Sequence, residues 1–295
     1  SFTSPVVSVL LGGIIGVSMT SVNYLATLPT ALVIVGTAVG SLFASRIMKF
    51  KGRRFGFSLS AIINSLFSLV CAYAIFINSF TLFCIGNLII GLSVAFVQQY
   101  RFAATESVET QNIPRAISLI LLLGIVASLL GANIVSFTKD FYLVTYVGSY
   151  IAMSLLTIIP LFFFIFYINE EKTELSKTKS QKSIFELLSD KNIQLSILSA
   201  GVGFTVMSTL MTATPISMNM MHGFSLFSTG IVLQLHVLGM FLPSLFTGDL
   251  IKIFGHKRMI YSGVLILLIT IIIHFNFETY YGYMIGLILL GIGWN

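Results

Sequence analysis

Apolar residues run in long blocks separated by short polar turns. The blocks lie at 5–22, 24–45, 55–77, 80–104, 115–137, 141–168, 192–218, 224–251, 259–276 and 280–295. A membrane-spanning helix needs about 20 mostly apolar residues, whereas a spanning barrel strand needs about 10 with strict alternation. These blocks are longer than strands and apolar on every face, so the pattern predicts ten spanning helices. Several carry Gly or Ser at spacings that let helix backbones approach in lipid. Pro29, Pro160, Pro215 and Pro243 fall in or beside spans, where neighbouring groups can satisfy the freed carbonyls.

The polar positions test that count. Arg46, Lys49, Lys51, Arg53 and Arg54 lie between spans 2 and 3, and Arg101 and Arg115 flank the turn between 4 and 5. Lys172, Lys177, Lys179, Lys182 and Lys191 lie between 6 and 7, and Lys252, Lys257 and Arg258 between 8 and 9. Only Lys139 of the 16 basic residues falls in an alternate turn. Basic loops face the cytoplasm, so loops 2–3, 4–5, 6–7 and 8–9 are expected there. A wrong span count would scramble this parity. The long polar stretch from Asn169 to Asp190 divides the chain into 1–168, a cytoplasmic linker at 169–191, and 192–295. Ile184, Phe185, Leu187 and Leu188 in it suit either a short helix on the membrane surface or a solvated linker.

Composition agrees and removes other classes. Hydrophobic residues make up 56% and charged residues 9%, against roughly 25% charged in a soluble domain. Mean hydropathy is +0.99. A soluble enzyme, a disordered chain and a disulfide scaffold are excluded. The net charge of +6 reflects cytoplasmic loops, so no nucleic-acid partner is expected. Cys71 and Cys84 sit in apolar runs and read as packing residues.

An internal repeat is visible. A shift of 203 residues pairs Gly36 with Gly239, Ser41-Leu42-Phe43 with Ser244-Leu245-Phe246, Lys49 with Lys252 and Gly52 with Gly255. Arg53 and Arg54 meet His256 and Lys257, and a shift of 200 lays Gly86 and Gly91 on Gly286 and Gly291. A repeat of about 200 residues holds six spans, an even number, so the halves are parallel repeats about an axis along the membrane normal. The counterpart of span 7 would begin before Ser1, and two spans would follow span 10. The expected fold class is therefore an all-α membrane protein of two parallel six-helix bundles, truncated here to about ten transmembrane helices. The expected first bundle, 1–168, has an incomplete first helix, and the second, 192–295, has four of six.

The turns after spans 2 and 8 carry a resemblance. Gly52-Arg53-Arg54 ends the first copy, and Gly248-Asp249-Leu250 through Gly255-His256-Lys257 forms the second. This resembles the signature of the major facilitator superfamily of secondary transporters: a Gly, a Leu two on, an Asp two further, then Gly-Arg-Arg/Lys. Lys49 and Lys252 stand where the family has its acid. Asn87 stands where the family has a span-4 Arg, and Gly131-Ala132 replaces the Gly-Pro of exporters. The resemblance implies a divergent bacterial-type member in which spans 1, 4, 7 and 10 line a central cavity. It assigns gating to Gly52, Arg53, Arg54, Gly248, Asp249, Gly255 and Lys257. Read without the family, the same turns make either a charged hinge or a plain positive-inside anchor.

Ionisable residues inside a bilayer are costly and mark function. His236 lies near the middle of span 8 and is the candidate for carrying a coupling proton. The alternative is a neutral histidine bonded between helices. Gln234 points about 200° away around the helix, so the two cannot share a face. Gln98, Gln99 and Arg101 in span 4 are candidate substrate ligands; Gly91, Val94, Gln98 and Arg101 follow helical spacing along one face, and Arg101 suits an anionic group or snorkelling. Among the span-7 hydroxyls, most bond their own helix carbonyls, and Thr212 is taken as a candidate facing substrate. By the resemblance, Trp294 and Asn295 in span 10 become a stacking wall and a donor. No phosphate loop, paired-Cys or His-Glu-x-x-His pattern occurs, so neither catalysis nor a metal or other cofactor is expected.

The expected function is secondary active transport of a small organic solute by alternating access, driven by a coupling ion, the proton. The other partner is membrane lipid. The expected location is a bacterial inner membrane. The rivals are a membrane-embedded lipid-acting enzyme and a non-transporting receptor or scaffold on a transporter fold.

Overall fold

The computed structural model describes residues 2–109, 112–164, 166–167 and 188–295. The predicted linker at 169–191, with its candidate surface helix, lies outside the described residues up to 187. Every regular element among the described residues is helical. Helices α1 (Thr3–Met19), α2 (Leu28–Lys51), α3 (Arg53–Phe76), α4 (Phe80–Val97), α5 (Tyr100–Glu106), α6 (Ile113–Thr138) and α7 (Val147–Phe164) make the first half. The second half holds α8 (Lys191–Ile216), ending in a π turn at Ser217–Met221, then α9 (Leu226–Phe241), α10 (Ser244–Phe254), α11 (His256–Asn276) and α12 (Tyr280–Trp294). Seven of the helical runs are long and apolar enough to cross a membrane; α9 and α10 together make an eighth, bent by 41°, and α1 and α12 are shorter apolar helices. These are the ten runs that the hydrophobic pattern predicts.

Four boundaries differ from the predicted ones, each for a local reason. The basic turn between spans 2 and 3 is a single residue, because α2 stays helical to Lys51 and α3 starts at Arg53. Gly52 between them has φ 83°, and Gly255 between α10 and α11 has φ 79°. A left-handed backbone of this kind suits glycine, and the two glycines are repeat partners. Span 4 breaks into α4 and α5 at Gln98–Gln99. Span 6 starts at Val147 because residues 139–146 fold as a loop closed by Tyr146 N–H donating to the Lys139 carbonyl at 2.7 Å. Span 8 breaks at Leu242–Pro243, where proline has no N–H to continue the ladder.

The repeat reappears as packing. Gly36 on α2 faces the Gly91 Cα and the Leu88 carbonyl on α4, while Gly239 on α9 faces the Gly291 Cα and the Ile288 carbonyl on α12. A Cβ on Gly86 would strike Cys71 Sγ, and one on Gly286 would strike the His274 ring. Cys71 and His274 are themselves 203 residues apart. Small residues thus let α2 meet α4, and α9 meet α12, at backbone distance. One buried cluster joins the halves, with Leu10, Leu11 and Ile14 of α1 beside Leu233, Leu287 and Leu290.

Candidate transport site

The two halves touch from the middle of the bundle to the end away from the basic turns. A Cβ on Gly13 of α1 would lie 2.6 Å from the Ile216 side chain of α8. A Cβ on Gly230 of α9 would lie 3.2 Å from Ala132 of α6, and Gln234 donates to the Leu129 carbonyl at 3.3 Å. Nearest the middle, the Phe241 ring covers Gly124. In each glycine contact a small residue of one half leaves room for a side chain of the other.

The predicted site residues fall in three places. Gln98 and Arg101 are exposed at the α4–α5 break, with Gln99 half-buried between them. The Arg101 guanidinium lies over the Phe102 ring at 5.2 Å. Gly91 and Val94, expected on the same stripe as Gln98 and Arg101, are instead buried, because the break turns the next residues outward. Thr212 is half-buried on α8 beside Gly13. Its neighbours Thr205, Ser208 and Thr214 bond their own helix carbonyls at 2.8, 3.2 and 2.7 Å.

Trp294 and Asn295 lie at the basic end of the second half. The Trp294 ring meets Phe204 edge-on at 5.8 Å. Asn295 spans the break in span 8: its amide donates to the Met240 carbonyl at 2.8 Å and to Ser244 Oγ, and its oxygen accepts from Thr247 Oγ1. The side chain expected as a substrate donor therefore splints α9 to α10. A cavity of about 820 Å³ opens next to it between α8, α10, α11 and α12. It is the repeat counterpart of the place that α7 fills against α3 and α1 in the first half.

His236 is fully buried in the α9–α12 seam. Its Nδ1 lies 2.9 Å from the Leu287 carbonyl, and its Nε2 has no hydrogen-bond partner. Gln234, on the other face, reaches the first half at the Leu129 carbonyl.

At the basic end, Arg53 forms a paired contact with Glu106 of α5, with Nε donating to Oε2 at 2.6 Å. Glu106 was not singled out by the sequence; it supplies from span 4 an acid of the kind missing at Lys49. In the second half Asp249 pairs with Lys252 at 2.8 Å on its own helix, and Gly248 faces open space. The sequence reading also passed over Asn64. Its amide bridges Ser4 of α1 at 3.1 Å and Ser93 of α4 at 2.8 Å. The signal was present as Ser60, Asn64 and Ser68, polar residues four apart in an apolar span.

Comparison with known proteins adds the family. The chain matches the Major Facilitator Superfamily over residues 1–295. It belongs to that family. The riboflavin transporter RfnT of Brucella anthropi is 33% identical over 299 residues, covering 99% of this chain and 74% of that protein. The uncharacterized MFS-type transporter YdeG of Bacillus subtilis is 31% identical, covering 97% and 70%. The crystal structure of a D-xylose-proton symporter superposes with a TM-score of 0.70 at 12% identity, over 99% of this chain and 77% of that one. The chain is thus an integral membrane protein with a transporter fold, and its relatives are transporters of small molecules.

Proposed function

We propose that this protein is a secondary active transporter that moves a small organic solute by alternating access, coupled to protons. The observation that carries the reading is the 33% identity to a riboflavin transporter across 99% of the chain. Riboflavin or a related planar heterocycle is the first solute to test. Residues 1–168 and 192–295 would act as two bundles joined by the linker at 169–191. The basic turns would face the cytoplasm of a bacterial inner membrane, by the excess of Lys and Arg there. In that orientation the halves meet at the outer side, so the described state is closed outward. Gly13, Ala132 and Gly230 would separate when the bundles rock.

Gln98, Gln99 and Arg101 of span 4, Thr212 of span 7 and Trp294 of span 10 would each offer the solute a contact at a different point of its passage. Asn295 would act through the span-8 break. Gly52, Arg53 and Arg54, with Gly248, Asp249, Gly255 and Lys257, would hinge the inner gate. His236 is the group proposed to couple the proton. A second N–H on Nε2 would find no acceptor in the seam as it stands, so a proton arriving there would favour a rearranged seam.

The test is riboflavin flux in proteoliposomes with and without an imposed pH gradient. The expected result is flux that accelerates with the gradient, and loss of that acceleration in His236→Ala. Gradient-independent flux would remove the proton, and absence of flux for riboflavin would remove that substrate.

A further inference from the structure

The end of the second half opposite the basic turns holds a set of polar groups unused by the reading above. After Pro215, α8 ends in the π turn Ser217–Met221, a form of helix often found at functional positions. Gly223 then reverses the chain with φ 66°, and Phe224 N–H returns to the Met218 carbonyl at 2.8 Å. This reversal presents His222 toward the turn between α11 and α12. His222 Nε2 lies 3.2 Å from Glu278 Oε2, and its Nδ1 lies 3.1 Å from the Ser217 carbonyl oxygen. The Tyr283 hydroxyl sits between two partners, 3.3 Å from His222 Nδ1 and 2.6 Å from Ser217 Oγ.

The donors and acceptors allow two complete arrangements. With two N–H groups on the ring, Nδ1 donates to the Ser217 carbonyl and Nε2 donates to the Glu278 carboxylate. The Tyr283 hydroxyl then donates to Ser217 Oγ. With one N–H, on Nε2, the bare Nδ1 accepts from the Tyr283 hydroxyl, and the contact to Glu278 is no longer between opposite charges. A single proton therefore redirects the tyrosine hydroxyl and changes the strength of the His222–Glu278 link between the end of α8 and the α11–α12 turn. The Glu278 carboxylate accepts a charge-assisted bond in both arrangements, and the second ring proton adds the attraction between opposite charges.

The surroundings suit exchange with solvent. The side chains of His222 and Glu278 are 26% and 66% exposed, so a proton reaches them directly, while Tyr283 is buried. The titratable groups around His222 are Glu278 from the α11–α12 turn and Tyr283 from α12. Behind Tyr283 stands His274 of α11, ring to ring at 6.2 Å, and Tyr280 approaches through Phe224. Lys139, Asp140 and Tyr146 belong to the corresponding end of the first half, where Lys139 pairs with Asp140 at 3.6 Å.

We propose that His222, Glu278, Tyr283 and Ser217 form a proton-binding latch that ties the end of α8 to the start of α12 and tightens on acidification. Its placement on the outer side rests on the membrane orientation given under Proposed function; the latch itself does not depend on a transported solute.

The test uses the detergent-solubilised protein, so that neither substrate nor sidedness is needed. One cysteine is placed at Met221, exposed at the end of the π turn, and in a separate protein one at Tyr142, exposed at the corresponding end of the first half. Both native cysteines are buried. The ratio of maleimide labelling rates at the two sites cancels the ordinary ionisation of an exposed thiol. The ratio of Met221→Cys to Tyr142→Cys should fall several-fold on acidification, and become flat with pH when His222→Gln or Glu278→Gln is added. A ratio already flat in the otherwise native protein overturns the latch, as does a fall that persists in His222→Gln. Tyr283→Phe gives a milder check, because it removes a hydroxyl that is bonded in both arrangements and spares the His222–Glu278 pair. It should raise labelling more on the alkaline side, where that hydroxyl is the partner of the ring, than on the acid side, where the charged pair still holds; an equal rise or none overturns the switched hydroxyl. Failure of riboflavin flux leaves these readings standing, and failure of the latch leaves flux standing.

Discussion

The two halves of the molecule repeat one backbone packing with two different chemistries. In the first half, Ser60 donates to the Ser93 carbonyl at 2.9 Å, and Asn64 ties α1, α3 and α4 together. The partners of these residues in the second half are Gly263, Gly293 and Leu267. There, a Cβ on Gly263 would come within 2.9 Å of the Gly293 carbonyl, so the helices meet through absence of side chain instead of through hydroxyls. The same contrast recurs along spans 2 and 8. Gly40 faces Ala95 in the first half, and α2 runs unbroken. Their counterparts are Pro243 and Asn295, a broken helix and the side chain that splints it. The backbone seam is what the fold requires. The side chains along it are free to differ, so one bundle gains internal polar ties and the other a built-in break.

That contrast can be broken most severely at the shared glycines. Gly91→Leu and Gly291→Leu would drive side chains into the Val33 and His236 carbonyls respectively. Each should cost more than the about 1–3 kcal/mol of ordinary overpacking and leave little monodisperse protein by size-exclusion chromatography. Gly201→Leu, at a position with open space around it, should elute and melt like the parent. If all three behave alike, the two seams are not what joins the helices.

A smaller effect is expected from the polar ties. Asn64→Ala strips the amide from Ser4 and Ser93 and should lower stability by about 1–3 kcal/mol. Asn64→Leu makes the position like its partner Leu267 and should cost less, read as a smaller drop in melting temperature. Equal drops would mean that volume and polarity do not separate the halves. Asn295→Ala removes the splint across Pro243 and should cost about 1 kcal/mol, with the loss confined to α10. Amide exchange measured by mass spectrometry should rise in Ser244–Phe254 and stay constant in α2; a change in both would sink the assignment.

The smallest effect is at the basic turns. Glu106→Gln breaks a pair between α3 and α5 and should cost up to about 1 kcal/mol, diminishing with salt. Lys252→Gln breaks a pair within α10 between two exposed groups and should leave the melting curve unchanged. A larger effect from Lys252→Gln than from Glu106→Gln would reverse the reading of which turn is held from outside its own helix.

The sequence carried most of the fold. Hydrophobic block length located the ten runs, and the repeat singled out four glycines by matching Gly36 to Gly239 and Gly91 to Gly291; the structure brings Gly36 to Gly91 and Gly239 to Gly291. Less of the candidate site was legible. Periodicity placed Gln98 and Arg101 on a stripe with Gly91 and Val94, but a break between α4 and α5 separates them, and no residue type announces it. Glu106 was missed because an acid at the end of a span reads as an ordinary surface group until the turn at Gly52 brings Arg53 beside it. Asn295 was read as a ligand because its family position suggests a cavity, whereas the broken α9–α10 junction leaves a carbonyl and two hydroxyls within its reach.

By itself the sequence determined that this chain lives in lipid, how its helices are laid out, which ends carry positive charge and that its halves are repeats. Those properties follow from composition and from spacing along the chain, since transfer into a bilayer depends on the residues of each segment alone. Only the tertiary structure decided which polar groups find each other. His236 meets the Leu287 carbonyl, Asn295 the gap at Pro243, and His222 both Glu278 and Tyr283. Each such pairing joins helices distant in sequence, and a hydrogen bond exists only within about 3 Å, a distance that spacing along one helix cannot specify.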